Sequence, residues 1–77
     1  MDLEAAKAAA LADAGFSAAD VTFTKTKEDM DDGMPVYDIE FYTASAQYDY
    51  EISAITGAVL DKSMEAFQAG GSGQASA

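Results

Sequence analysis

Two short stretches hold the residue types most able to do chemistry. They are Tyr37-Asp38-Ile39-Glu40-Phe41 and Tyr48-Asp49-Tyr50-Glu51-Ile52, and each alternates acids with large apolar or aromatic side chains. A pair drawn from Asp38, Glu40, Asp49 and Glu51 would suit acid/base catalysis if one carboxyl sat in an apolar pocket that raised its pKa while the other stayed ionised. Strand alternation works against that. Residues two apart share a face, so the acids point one way and the aromatics the other. A solvated acidic face is the expectation, and no catalytic residue is assigned. Lys7, Lys25, Lys27 and Lys62 show no activated-nucleophile pattern. With no His and no Cys in the chain, a His-based triad, a zinc site of His and Cys ligands and thiol chemistry fall away.

A second acidic group, Asp29, Asp31 and Asp32, invites a calcium reading. Asp29, Asp31 and Glu40 fall at positions 1, 3 and 12 of an EF-hand loop. Position 5 is then Gly33, and the position that needs glycine is Met34, followed by Pro35. The loop fails on its turn geometry. What survives is a weak surface cation site at Asp29, Asp31 and Asp32, set against ordinary turn chemistry as the simpler reading. No cofactor is expected.

Elements must position these groups. Residues 2–14, DLEAAKAAALADA, are rich in strong helix formers. Asp2 is placed as N-cap and Glu4 lies in the first turn. Leu3, Ala6, Ala10, Leu11 and Ala14 form a narrow apolar stripe. Gly15 suits the C′ position, and Phe16 can fold back onto the last turn. The mostly alanine stripe predicts a helix lying close on a sheet that supplies the larger side chains. SAAD, residues 17–20, is a connector. Strands are predicted at 21–28, 35–43 and 46–53, with a turn at 29–33 and a short fourth strand at about 58–61. KSMEAFQ, residues 62–68, reads as a helical turn or an arm, and AGGSGQASA as linker.

Pairing fixes the geometry. Phe41 opposite Tyr48, Ile39 opposite Tyr50 and Tyr37 opposite Ile52 put the large residues on the helix side and leave Ala44-Ser45 as the turn. That turn lacks the Asn-Gly type of pair that two-residue hairpins prefer. The same register sets Glu40 against Asp49 and Asp38 against Glu51, and like charges so placed are unfavourable. Lys25 and Lys27 are the nearest relief, yet a regular strand would put them on the face of Phe23. A β-bulge near Thr24 would turn them onto the acids.

Tyr42 shares the parity of the acids and is the expected exposed aromatic, a candidate protein contact beside Asp38, Glu40, Asp49 and Glu51. Ordinary cross-strand packing is the simpler reading. Phe23, Tyr37, Phe41, Tyr48 and Tyr50 are expected in the core. Strand 21–28 and the segment 58–61 are candidate edges for strand addition.

Length and charge bound the rest. Seventy-seven residues make one domain, whose core supplies only ~3–5 kcal/mol of net stability. The net charge of −10, with Lys and Arg totalling 4, repels phosphate backbones and anionic membranes and favours basic proteins, peptides or cations. No apolar run approaches the ~20 residues of a membrane span, and no signal-peptide pattern precedes the helix. Met1 fits either a natural start or a cut from a longer exported chain.

The order and spacing of ALADAGFS, DVTFTK, DDGMPVYDIEFY and YDYEISAITGAVL resemble the PepSY domain family, named for propeptides of metallopeptidases and a spore-germination protein. The likeness covers residues 2–61. It implies an α+β fold, with one N-terminal helix on a three- to four-stranded antiparallel sheet, and an extracytoplasmic setting. It also implies a non-catalytic role in restraining a peptidase by protein contact. The alternative is a structural or sensory interaction domain of an envelope protein with no peptidase partner. Ser53 stands where the family commonly carries Asp, and Ala44-Ser45 where its turn is often Gly-rich. Residues 62–77 are expected as a flexible tail.

Overall fold

Asp2 is extended, and its Oδ1 accepts the Ala5 N–H at 2.8 Å, which starts helix α1 (Leu3–Ala14). Gly15 ends it at φ 87°, with its N–H on the Leu11 carbonyl at 2.8 Å. A side chain rarely tolerates that left-handed conformation. The computed structural model describes residues 1–67. After α1 come a 3₁₀ turn (Ala18–Asp20) and the strands β1 (Thr22–Asp31), β2 (Met34–Tyr42), β3 (Ala46–Ser53) and β4 (Val59–Ala66). They form an antiparallel meander in the order β1-β2-β3-β4. The architecture is α+β, with one helix on a four-stranded sheet. No described helix is long and apolar enough to cross a membrane.

The first hairpin turns at Asp32-Gly33, with φ of 52° and 78°. Two positive values in a two-residue loop are the type I′ geometry that matches strand twist. The second hairpin has the register expected from the sequence: Phe41 opposite Tyr48, Ile39 opposite Tyr50 and Tyr37 opposite Ile52. Its Ala44-Ser45 turn works without glycine because Thr43 replaces backbone chemistry with side-chain chemistry. Thr43 Oγ1 accepts the N–H groups of Ser45 at 3.1 Å and Ala46 at 3.2 Å, and the Thr43 N–H donates to the Ala46 carbonyl at 2.9 Å. Such hydroxyl turns hold a short reversal with both central residues at negative φ.

The core forms between α1 and one sheet face. Ala6, Ala10 and Leu11 pack on Ile39, Phe41, Tyr50 and Ile52, all buried, with Leu3, Ala14, Phe16, Val21, Phe23, Tyr37, Tyr48 and Val59 around them. The small helix residues allow the close approach, and the sheet supplies the bulk. Phe41 stacks with Tyr48 at 5.2 Å and Tyr50 at 6.0 Å between ring centroids, and meets Phe23 edge-on at 5.7 Å. Offset and edge contacts of this kind add about 0.5–1.5 kcal/mol each beyond area burial.

The sequence expectation is corrected at β4. The strand is eight residues long, and residues 62–66, expected in the tail, pair with β3 as far as Ala66 opposite Ala46. The Lys, Met, Glu and Ala of this stretch favour helix, but the free edge of β3 decides the outcome, since pairing context overrides propensity. The rest of the expected tail, 68–77, lies outside the described residues.

Candidate functional site

The sheet face away from α1 carries the charge, arranged in rows across the strands. One row runs Lys25, Glu40, Asp49, Ser63, and the next runs Lys27, Asp38, Glu51, Asp61. The register shifts between Phe23 and Lys25, so Thr24 is the extra residue of a bulge. That bulge lets Phe23 face the core and both lysines face the acids, as the sequence pattern requires.

Only part of the charge is relieved. Lys25 Nζ lies 3.1 Å from Glu40 Oε2, and this pair holds the Lys25 ammonium above the usual lysine range. Lys27, in register with Asp38, turns instead toward Asp29, at 3.9 Å. Asp49 is pushed up from the ordinary aspartate value, first by partial burial and next by the charge of Glu40. Glu51 is also pushed up, chiefly by a hydrogen bond with Asp31, then by partial burial and by the charges of Asp31, Asp38 and Asp61. In both carboxyls the like charge of neighbouring acids adds to burial or hydrogen bonding, so part of the face's charge is left without a cation. A shallow depression of about 240 Å³ lies over this face, bounded by Lys25, Asp38, Glu40, Asp49, Glu51 and Asp61. Such a surface can hold an ammonium or guanidinium group against several carboxylates at once.

The structure therefore brings Asp38, Glu40, Asp49 and Glu51 together. Tyr42 flanks them at 40% exposure, opposite Gln47 in the row that continues to Glu65. Asp29, Asp31 and Asp32 are not brought together. Asp29 Oδ1 accepts the Met30 N–H at 2.8 Å, Asp31 engages Glu51, and Asp32 forms the turn. Among the described residues no group of three His, Cys, Asp or Glu side chains could hold a metal ion. Asp31, singled out from the sequence only as a candidate cation ligand, and Asp61, not singled out at all, join the acidic face. The parity of 61, 63 and 65 in a strand pairing with β3 is the signal that finds Asp61.

Ser53 is buried, and its Oγ accepts the N–H groups of Ile55 at 3.2 Å and Thr56 at 3.0 Å. A carboxylate oxygen could accept the same two bonds, which accounts for Ser and Asp both suiting the position. On the helix side, Asp13 Oδ2 receives the Tyr50 hydroxyl at 2.8 Å and Lys62 Nζ at 2.9 Å. These bonds hold the Asp13 carboxyl below the usual range, Lys62 having the larger effect. Burial and Asp13 together push the Tyr50 phenol up to about 12.

The model of the PepSY family, described as Peptidase propeptide and YPEB domain, matches residues 1–62. An uncharacterized protein of Streptococcus pyogenes serotype M6 is 40% identical over 60 residues, which are 78% of this chain and 46% of that protein. The chain thus spans about half the length of the curated relative it matches. No solved structure matches.

Proposed function

The chain belongs to the PepSY family, and from that premise we propose that it is a non-catalytic contact module that restrains a peptidase outside the cytoplasm. The acidic sheet face is the contact surface. Asp38, Glu40, Asp49 and Glu51 receive basic groups of the partner, and Tyr42 packs at the margin. The family's description as a peptidase propeptide domain supports the partner class. The observation that carries the surface is the run of acids across β2, β3 and β4, of which Glu40 alone has a lysine at ion-pair distance among the described residues. Carboxylates held close without counter-charge gain from a partner cation what the fold does not supply. Such complementarity sets encounter rate and register more than raw affinity.

The test is an inhibition assay against the peptidases exported by the same cell, using the full chain and a variant with Asp38→Asn, Glu40→Gln, Asp49→Asn and Glu51→Gln. The proposal expects the wild type to slow one of them and the variant to lose most of that effect. Absence of inhibition across all of them would favour an envelope interaction domain without a peptidase partner.

A further inference from the structure

The two edges of the sheet are finished differently. At the β1 edge a bulge at Thr24 and the side chains of Lys25 and Lys27 disturb the pairing surface, devices that discourage strand addition. The β4 edge has a bulge only at its start, where Leu60 is the extra residue between Val59 and Asp61, and its one lysine, Lys62, is drawn to Asp13; from Asp61 to Ala66 the pairing is regular. The Phe67 N–H donates to the Ser45 carbonyl at 2.8 Å. In an antiparallel ladder this phase turns the backbone groups of 61, 63 and 65 toward β3 and those of Lys62, Met64 and Ala66 outward. The Lys62 N–H is covered by Asp61 Oδ1 at 2.9 Å. β4 ends the sheet order, and among the described residues nothing accepts from the outward N–H groups of Met64 and Ala66.

Side chains along this edge are equally one-sided. Asp61 ends one acidic row and Glu65 ends the neighbouring row of Tyr42 and Gln47, both on the strand farthest from Lys25 and Lys27. On the helix side Met64 is 58% exposed, beside a groove of about 360 Å³ lined by Ala14, Tyr48 and Met64 together with the Asp13–Lys62 pair. Lys62, on that same side, is already engaged by Asp13.

We propose that β4 accepts an extended segment of another protein as a fifth strand, with Lys or Arg alternating with apolar residues. The basic positions lie against Asp61 and Glu65, and the apolar positions lie against Met64. Main-chain bonds give affinity in this mode, and alternate side chains give specificity. The proposal rests on the reading of the outer face as a contact surface and names where on it, and by what, contact is made. A second copy is disfavoured: two β4 strands paired antiparallel about Ser63 would set Asp61 against Glu65 twice, between chains of net charge −10. Residues 68–77 contain no Lys or Arg, so the cations must come from another chain.

Three synthetic peptides test this on the full chain by amide chemical shifts: Lys and Val alternating, the same residues in two blocks, and Glu and Val alternating. The alternating Lys peptide is expected to bind, to shift and protect the amides of Met64 and Ala66, and to bind at least about tenfold more tightly than either control. Met64→Pro removes an outward N–H while sparing the bonds to β3, and should weaken binding by about tenfold or more with the fold retained. Asp61→Asn with Glu65→Gln should weaken it comparably and serves if the proline variant does not fold. Equal binding of the block peptide, with shifts centred on Glu40 and Asp49, overturns strand addition and leaves the contact face intact. Peptidase inhibition without binding of any peptide also overturns it. Dimers formed through β4 would overturn it in favour of self-pairing. Loss of both peptide binding and inhibition sinks the contact face itself.

Discussion

Lys25 Nζ lies 3.1 Å from Glu40 Oε2 because one residue, Thr24, is looped out of the β1–β2 ladder. Phe23 and Lys25 are two apart in sequence yet occupy opposite faces, and the charge of β1 reaches the acids of β2 only through that extra residue. The bulge therefore belongs to the electrostatics of the face as much as to the shape of the edge.

Deleting Thr24 should be tolerated. Phe23, Lys25, Thr26 and Lys27 would then alternate regularly, core, face, core, face, with the present partners kept. Nuclear Overhauser contacts between β1 and β2 should show Lys25 still opposite Glu40. A protein that unfolds, or pairs Lys25 elsewhere, would show that the bulge holds more than parity.

Stability should pass through a maximum in mildly acid solution. The Asp49 and Glu51 carboxyls are raised in the fold, so protonation favours the native state. Their contribution is complete below the ordinary values of 3.8 and 4.5 and is lost as pH rises through the folded pKa values. The Asp13 carboxyl is lowered. Its contribution is present above 3.8 and is lost as pH falls through the folded value. Melting temperature should thus rise as pH falls from neutral toward the ordinary carboxylate range and fall again as pH drops below 3.8. Asp49→Asn with Glu51→Gln should flatten the upper limb, and Asp13→Asn the lower. An unchanged upper limb in the double variant would contradict the uncompensated field.

Tyr50 should ionise at about 12, a step that absorbance can follow. A raised phenol contributes stability that is whole below 10.0 and disappears as pH climbs to about 12. Alkaline unfolding should therefore coincide with that ionisation. Tyr50→Phe should remove the step at about 12 and leave Asp13 bound to Lys62 alone. A titration lacking the high step would place the Tyr50 hydroxyl away from Asp13.

Phe41→Ala should leave the chain unfolded or nearly so. Phe41 is fully buried between α1 and the sheet, in contact with four other aromatic rings. Its truncation costs about 3–5 kcal/mol, close to the whole net stability of ~3–5 kcal/mol that a domain this small commands. Circular dichroism in urea would report it. A loss under about 1.5 kcal/mol, the range of a well-tolerated apolar swap, would mean that the ring is not at the centre of the core.

The face was legible in the sequence because strand alternation has a period of two and both hairpin strands keep it without a break. Parity alone set Asp38, Glu40, Asp49 and Glu51 on one side and Tyr37, Ile39, Phe41, Tyr48, Tyr50 and Ile52 on the other. The conflict between Phe23 and the lysines was itself the signal of the bulge. The Ala44-Ser45 turn was harder, because the residue that builds it, Thr43, precedes the turn rather than sitting in it. The last strand was hidden for a different reason. Residues 62–66 have helix-favouring composition, and what makes them a strand is the edge of β3, a partner ten or more residues away. With β4 went Asp61, Glu65 and the far end of the acidic rows, where the basic segment is proposed to dock.

The central claim is that the acidic face makes a partner contact. The most direct measurement is calorimetric binding of an inhibited exported peptidase to the wild-type chain and to the variant with Asp38, Glu40, Asp49 and Glu51 neutralised, at low and at high salt. The account predicts that neutralisation weakens binding by about tenfold or more and removes most of its salt dependence, while the variant stays folded. Equal affinity and equal salt dependence in the two proteins would contradict it.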